Sequence, residues 1–331
     1  MIEKQVEFKS DLILKGTLAL PEKDGKFPAV IMLHGSGPGD RDSNVKGIKN
    51  IDVFNTFAKY FSEIGVASLR YDKRGVKESE GSYLECGMWD LVNDAVAGIR
   101  FLKNHPQIDN NKIIIMGHSE GCLLAPAVNK IEPVDGIVFL SGAVGSLSEA
   151  IDYQLGKFSE EIKMKKGFLG WLLRVLKADQ RAVKQNKKTM DKVNRSKKTV
   201  MRISMVKINA KWIREHHQYD VGDDLPFVEC PVLAITGSKD LQVNPDDAKK
   251  IASLVKGPSE YHILEGLNHI LRNQEEDLSF LKIKKIYMKN LDKPLDSTLI
   301  SLVNDWLKRT YLTEIMLEPK VGTLNLKEQI N

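Results

Sequence analysis

The chain has 331 residues, of which 42% are hydrophobic and 28% charged, and it carries a formal net charge of +5. That length and apolar content can build the core of one large α/β domain, with or without an insertion, and exclude a short peptide-binding module. The opening residues, MIEKQVEFKS, lack the apolar run of a secretory signal. No stretch approaches the roughly 18 to 20 apolar residues of a membrane span, so a soluble, cytoplasmic protein is predicted.

In chain order, 5–9 (QVEFK) and 12–21 (LILKGTLALP) read as two strands of a hairpin around Ser10 and Asp11. The run 28–33 (PAVIML) is apolar throughout, as expected of a strand covered on both faces, and the same type recurs at 66–71, 112–116, 136–140, 232–236 and 261–264. Helical periodicity lies between most of these, at 54–64 and 89–103 for example. The alternation predicts the α/β class, a mostly parallel sheet wrapped by helices. It breaks between about 143 and 226, where helical periodicity and no strand are read, including an amphipathic stretch at 168–176 (FLGWLLRVL) and a Lys- and Met-rich run at 184–211. A structureless loop of that length is rare in a compact domain, so an inserted helical cap is expected. The predicted organisation is a core of 1–143 and 227–317, a basic cap at 144–226, and a C-terminal extension at 318–331.

Charge is concentrated in that insertion: residues 151–220 hold 18 Lys and Arg against 7 Asp and Glu, a surplus of 11, which leaves the rest of the chain at −6. Such a block either attracts anionic ligands or a membrane surface or forms a solvated helical face. Cys86, Cys122 and Cys230 are odd in number, widely spaced and in or beside apolar segments, which fits buried free thiols and neither disulfides nor a zinc site.

The chemistry is concentrated at Gly117-His118-Ser119-Glu120-Gly121, directly after the strand at 112–116. A serine flanked by glycines at i−2 and i+2, between strand and helix, is a nucleophile elbow: the turn is too sharp for a Cβ at either flank. The pentapeptide arises by chance in roughly one chain in ten, so its context must carry the reading. A serine nucleophile needs a histidine base oriented by a carboxylate. Asp240 follows the strand at 232–236 and His269 follows the strand at 261–264. In a parallel sheet the loops after neighbouring strands share one rim, which would gather Ser119, Asp240 and His269 despite their separation in sequence. The loop 33–40 (LHGSGPGD) is at the same rim, and acyl transfer needs two backbone N–H groups aimed at the developing oxyanion. The Glu120 amide supplies one, Ser36 is the choice for the second with Gly35 next, and Gly35 and Gly37 are read as substrate-binding. No Lys-Ser/Thr follows the glycines, so a phosphate-binding loop is not predicted.

Together these features resemble the serine hydrolases of the α/β-hydrolase superfamily. More narrowly, 34–44 (HGSGPGDRDSN), 51–54 (IDVF) and 70–75 (RYDKRG) are similar to the bacterial carboxylesterase and dienelactone-hydrolase-like branch. The resemblance covers about 12–145 and 226–312 and implies the α/β-hydrolase fold and ester hydrolysis through a covalent acyl-enzyme. Family members mostly continue Arg-Gly-x-Gly-x-Ser, where this chain has Lys77 in place of the second glycine; that should alter the loop.

Other polar residues read as structural. His34 is taken as loop-shaping, His118 as packed beneath the elbow, His216 and His217 as a solvated helix end, and Asp72 with Arg74 as a buried pair. Cys122 faces the core as an inert thiol. Neither cofactor nor metal is predicted, and the expected partner is a small ester or acyl substrate, not nucleic acid. The alternatives weighed are a thioesterase or lysophospholipase drawn to anionic acyl substrates by the basic cap, and a non-catalytic ligand-binding member of the fold.

Overall fold

The computed structural model describes residues 1–45 and 51–312. The expected extension at 318–331, with the last core residues 313–317, lies outside the described residues. The hairpin is β1 (Ile2–Lys9) and β2 (Ile13–Leu20), followed by β3 (Phe27–Leu33), β4 (Ala67–Tyr71), β5 (Ile108–His118) and β6 (Gly136–Leu140). Helices α1 (Val53–Ile64), α2 (Met88–Lys103) and α3 (Glu120–Ile131) alternate with them.

Next come α4 (Leu147–Met164), α5 (Gly167–Val175) and α6 (Ala178–Asn194), then a short antiparallel pair, β7 (Val200–Ile203) and β8 (Val206–Asn209), and α7 (Ala210–Gln218) and α8 (Val221–Asp224). This corrects the reading of 143–226 as free of strands and of 184–211 as one helical run. The chain reverses at Ser204 and Met205, both with positive φ, and the β-branched residues on either side pair across that turn. The chain then returns to the sheet with β9 (Val232–Gly237), α9 (Asp247–Leu254) and β10 (Ser259–Leu264), and closes with α10 (Ile283–Asn290) and α11 (Ser297–Leu307).

Eight strands form one sheet in the order β1-β2-β4-β3-β5-β6-β9-β10. Among the described residues of this sheet only β1–β2 and β2–β4 are antiparallel, and the pairings along β4-β3-β5-β6-β9-β10 are parallel. Strand parity divides the apolar residues between two cores. Ile31, Leu33, Ile113, Ile115, Ile137 and Phe139 face α2, α3 and α9. Val30, Met32, Ile114, Met116, Val138 and Leu140 face the Phe54, Phe57 and Phe61 stripe of α1 and the Leu299, Val303 and Trp306 stripe of α11. That is why these strands are apolar at every position: both faces are covered.

The register fixes the working edge. Leu33 pairs with Gly117, His118 with Leu140, Leu140 with Ile235, and Gly237 with Leu264. The carboxyl ends of β3, β5, β6, β9 and β10 thus share one rim, where the loops bearing Ser36, Ser119, Asp240 and His269 begin.

Candidate active site

Ser119 joins β5 to α3 with φ +53° and ψ −112°, a conformation few L-residues adopt. The glycines explain how the chain tolerates it. A Cβ on Gly117 would lie 2.5 Å from the Gly121 backbone, and one on Gly121 would lie 2.1 Å from the Leu33 carbonyl oxygen of the adjacent strand. The elbow therefore closes on itself and against β3 only because both positions lack side chains, and the Ser119 N–H donates to the Leu140 carbonyl at 3.0 Å to hold it.

Ser119 Oγ lies 3.0 Å from His269 Nε2, and His269 Nδ1 lies 2.8 Å from Asp240 Oδ2. Asp240 is 1% exposed, and its second oxygen accepts the backbone N–H groups of Gln242 (2.8 Å) and Val243 (3.1 Å). The carboxylate is thus fixed by its own turn and presents one free edge to the imidazole. His118, half-buried on the elbow, places Nε2 2.9 Å from the His269 carbonyl oxygen, so the residue before the serine steadies the loop that carries the imidazole. Burial, with His269 beside it, holds the His118 imidazole down at about 4.

Beside this line is a buried polar cluster that the sequence reading did not find. Lys73, in the loop after β4, donates from Nζ to Glu120 Oε2 and to the Gly35 carbonyl oxygen, both at 2.7 Å. Glu120 also accepts from the Trp212 indole, and its Oε1 lies 2.9 Å from His216 Nε2. Burial alone would push the Glu120 carboxyl up, but Lys73, helped by His216, holds it well below the usual carboxylate range. His216 is only 1% exposed, which overturns its reading as part of a solvated helix end. It and Trp212 stand one turn apart on the same face of α7, whose first turn is capped by the Asn209 side chain. A carboxylate at the buried first turn of α3 demands a cation, and that was the available signal. Nothing in the sequence indicates that the cation is Lys73, or that α7 arrives to complete the cluster.

Gly35 carries its hypothetical Cβ 3.3 Å from Ser119 Cβ, so its loop runs beside the serine. Because the Gly35 oxygen and the Ser36 N–H belong to one trans peptide, holding the oxygen with Lys73 turns the N–H to the opposite side. The Glu120 N–H is in the first turn of α3 and has no intrahelical acceptor. Gly37, at φ +106°, borders open space.

Two further readings change, those of Asp72 with Arg74 and of Cys230. Asp72 and Arg74 do not pair with each other: Asp72 binds Arg41 (2.6 Å), and Arg74 binds Asp94 (2.5 Å) and Asp11 (2.8 Å). Lys77 itself takes the left-handed conformation, at φ +49°. Cys230 is half-buried, while Cys86 and Cys122 are buried, and all three are free thiols. Cys122 Sγ donates to the Gly117 and Leu140 carbonyls, and burial raises its thiol far above the ordinary range. His34 is buried between the rings of Phe54 and Tyr71, and burial, with Lys73 nearby, holds it at about 3.

A groove of about 1140 Å³ opens on the Asp240 side, between α4 and α10, lined by residues including Tyr153, Met164, Lys165, Leu241 and Phe280. Its charges are mixed: Lys157 pairs with Glu160 and Lys289 with Glu276, and Lys285 and Asp246 also line it. Among the described residues no His, Cys, Asp and Glu cluster is arranged to hold a metal ion, and no helix is long and apolar enough to cross a membrane.

The comparisons with known proteins agree with this architecture. Esterase EstD of Thermotoga maritima is 25% identical over 264 residues, 79% of this chain, and the chain spans only 59% of EstD's length. Among solved structures, the α/β hydrolase GrgF from Penicillium sp. sh18 superposes with a TM-score of 0.60 at 16% identity, covering 95% of this chain and all of GrgF. Est1E from Butyrivibrio proteoclasticus, seen with ferulic acid bound, superposes with a TM-score of 0.60 at 15% identity over 93% of this chain and all of Est1E. A family model described as Hydrolase_4, serine aminopeptidase, S33, matches residues 47–276. A buried Ser-His-Asp line at the rim of this sheet and a family match over most of the chain lead to one statement: the protein belongs to the Hydrolase_4 (serine aminopeptidase, S33) family of α/β hydrolases.

Proposed function

We propose that this protein is a serine hydrolase that cleaves carboxylic esters. The observation that carries the reading is the unbroken contact from Ser119 Oγ to His269 Nε2 at 3.0 Å and from His269 Nδ1 to Asp240 Oδ2 at 2.8 Å. In this reading His269 takes the Ser119 proton as the hydroxyl attacks the acyl carbon, and buried Asp240 stabilises the imidazolium that forms. His269 then gives the proton to the leaving alcohol, and water repeats the sequence on the acyl-enzyme.

The Ser36 and Glu120 amides serve as the oxyanion donors, and the Lys73 cluster supports that assignment. One ammonium holds both the Gly35–Ser36 peptide and the side chain of Glu120, so the two donors are fixed relative to each other before substrate arrives. Gly35 and Gly37 leave room for the acyl group. Residues 144–226 act as a cap, and α7 braces the site from that side through Trp212 and His216. The carboxylates of the groove are matched by lysines, which favours neither a free-amine site nor a strong preference for anionic acyl groups.

The test is hydrolysis of p-nitrophenyl acetate and butyrate, with fluorophosphonate labelling of Ser119. Ser119→Ala should abolish labelling and lower the rate by roughly 10⁴-fold or more while the protein stays folded. Ester hydrolysis that survives this change would remove the proposed mechanism.

A further inference from the structure

Helix α5 presents an unusual surface. Of its nine residues, GFLGWLLRV, Phe168 is 74% exposed, Leu169 51%, Trp171 53% and Val175 58%, with Met164 before it 74% and Leu176 after it 41% exposed. The Phe168 and Trp171 rings pack together, 5.6 Å between centroids, and so form one apolar knob. The helix is held down from beneath: Gly170 is buried against the Lys165 backbone, and Arg174 turns its guanidinium back onto the carbonyl oxygens of Ile162 (3.0 Å) and Lys165 (2.8 Å). The orientation is therefore built, and it aims aromatic side chains outward. Exposed apolar patches of this kind mark binding faces.

Charge identifies the occupant. Between Lys163 and Lys177 there are four lysines and Arg174, with no Asp or Glu. Lys163, Lys166 and Lys177 are exposed, and of the three Lys163 has Asp179 near enough to feel its charge. A second copy of this chain would bring two segments of surplus +11 face to face, which disfavours self-association through α5. An aromatic and aliphatic helix face ringed by lysines instead matches the boundary between acyl chains and anionic headgroups. We propose that α5 docks this protein on an anionic lipid surface, with Phe168, Leu169, Trp171 and Val175 entering the headgroup boundary and Lys163, Lys166 and Lys177 against the headgroups. Met164 and Lys165, which precede this helix, also line the groove beside Asp240. The inference is independent of which ester is cleaved.

The experiment is flotation of the whole chain with vesicles of phosphatidylcholine alone and of an equal mixture of phosphatidylcholine and phosphatidylglycerol. The protein should float with the mixed vesicles, weakly or not at all with phosphatidylcholine, and less as salt rises. Phe168→Ser/Trp171→Ser should lower binding by about tenfold or more. Lys163→Glu/Lys166→Glu should do likewise, since each lysine near an anionic surface contributes about fivefold. Both variants should keep the parent's rate on a soluble butyrate ester, which reports that they are folded. Absence of binding, equal binding to both vesicles, or undiminished binding of Phe168→Ser/Trp171→Ser would overturn the proposal. So would sedimentation showing a dimer that this variant dissociates, because the face would then belong to a second copy.

Discussion

Replacing Lys73 by Met probes the site without touching Ser119, His269 or Asp240. The two side chains of the Lys73–Glu120 pair are 3% and 2% exposed, and removing one member of such a pair costs about 3 to 5 kcal/mol because the other charge is left buried. Glu120 can limit that loss by taking up a proton, which burial favours once the ammonium is gone. The lower figure, about 3 kcal/mol, is therefore expected at neutral pH, or roughly 4 °C in Tm for a chain of this size. The Gly35–Ser36 peptide also loses its anchor. A donor removed outright costs about 10²- to 10³-fold, so a donor merely loosened should lower kcat by about 10- to 100-fold, with little change in KM because the contact forms in the transition state. Differential scanning fluorimetry and p-nitrophenyl butyrate kinetics measure both effects. The double variant Lys73→Met/Glu120→Gln should recover most of the stability and little of the rate. A Lys73→Met protein with parental Tm and kcat would refute the role given to this cluster.

Acid stability follows from two imidazoles held neutral, His34 buried and His118 half-buried. His118 is held at about 4 and His34 at about 3, against an ordinary 6.5, mainly by burial. Between those values the unfolded chain binds protons that the folded chain refuses. Stability should be complete above about pH 6.5 and fall as pH drops toward 4 and then 3, by an amount on the order of a few kcal/mol. The denaturation midpoint at pH 7.5, 6 and 5 measures it, and a midpoint that stays level would contradict the neutral state. Gly121→Ala should be severely destabilising or insoluble, since the new methyl would meet the Leu33 oxygen at 2.1 Å; a folded, active Gly121→Ala enzyme would show that the elbow can open away from β3.

The alternation of strands with amphipathic helices was legible in the sequence because burial on both faces makes a strand apolar throughout, as β3, β6 and the inner part of β5 are, whereas β10, read as the same type, is an edge strand exposed along one face and carries Glu260 and His262. Ser119, Asp240 and His269 were legible for a related reason: parallel strands end at one rim, so a residue's place just after a strand already says where it will be. Two kinds of feature escaped. The β7–β8 hairpin has four residues in each strand, too few for the alternation in Val206-Lys207-Ile208-Asn209 to stand out within a Lys-rich run, and its turn uses Ser204 and Met205 in place of glycine. The partners of Lys73, Glu120 and His216 come from a rim loop, the elbow helix and α7. No local pattern relates such distant segments, and a histidine near a polar helix end reads as solvated until the packing that covers it is known.

By itself, then, the order of the side chains determined the sheet, its rim and the residues that stand there, since periodicity and turn chemistry act over a few residues at a time. Only the tertiary structure decided which ion meets which, which histidine is dry, and that the aromatic face of α5 is left in solvent. Those outcomes depend on how separate segments pack, and the energy of burying a charge or a ring is a property of everything around it.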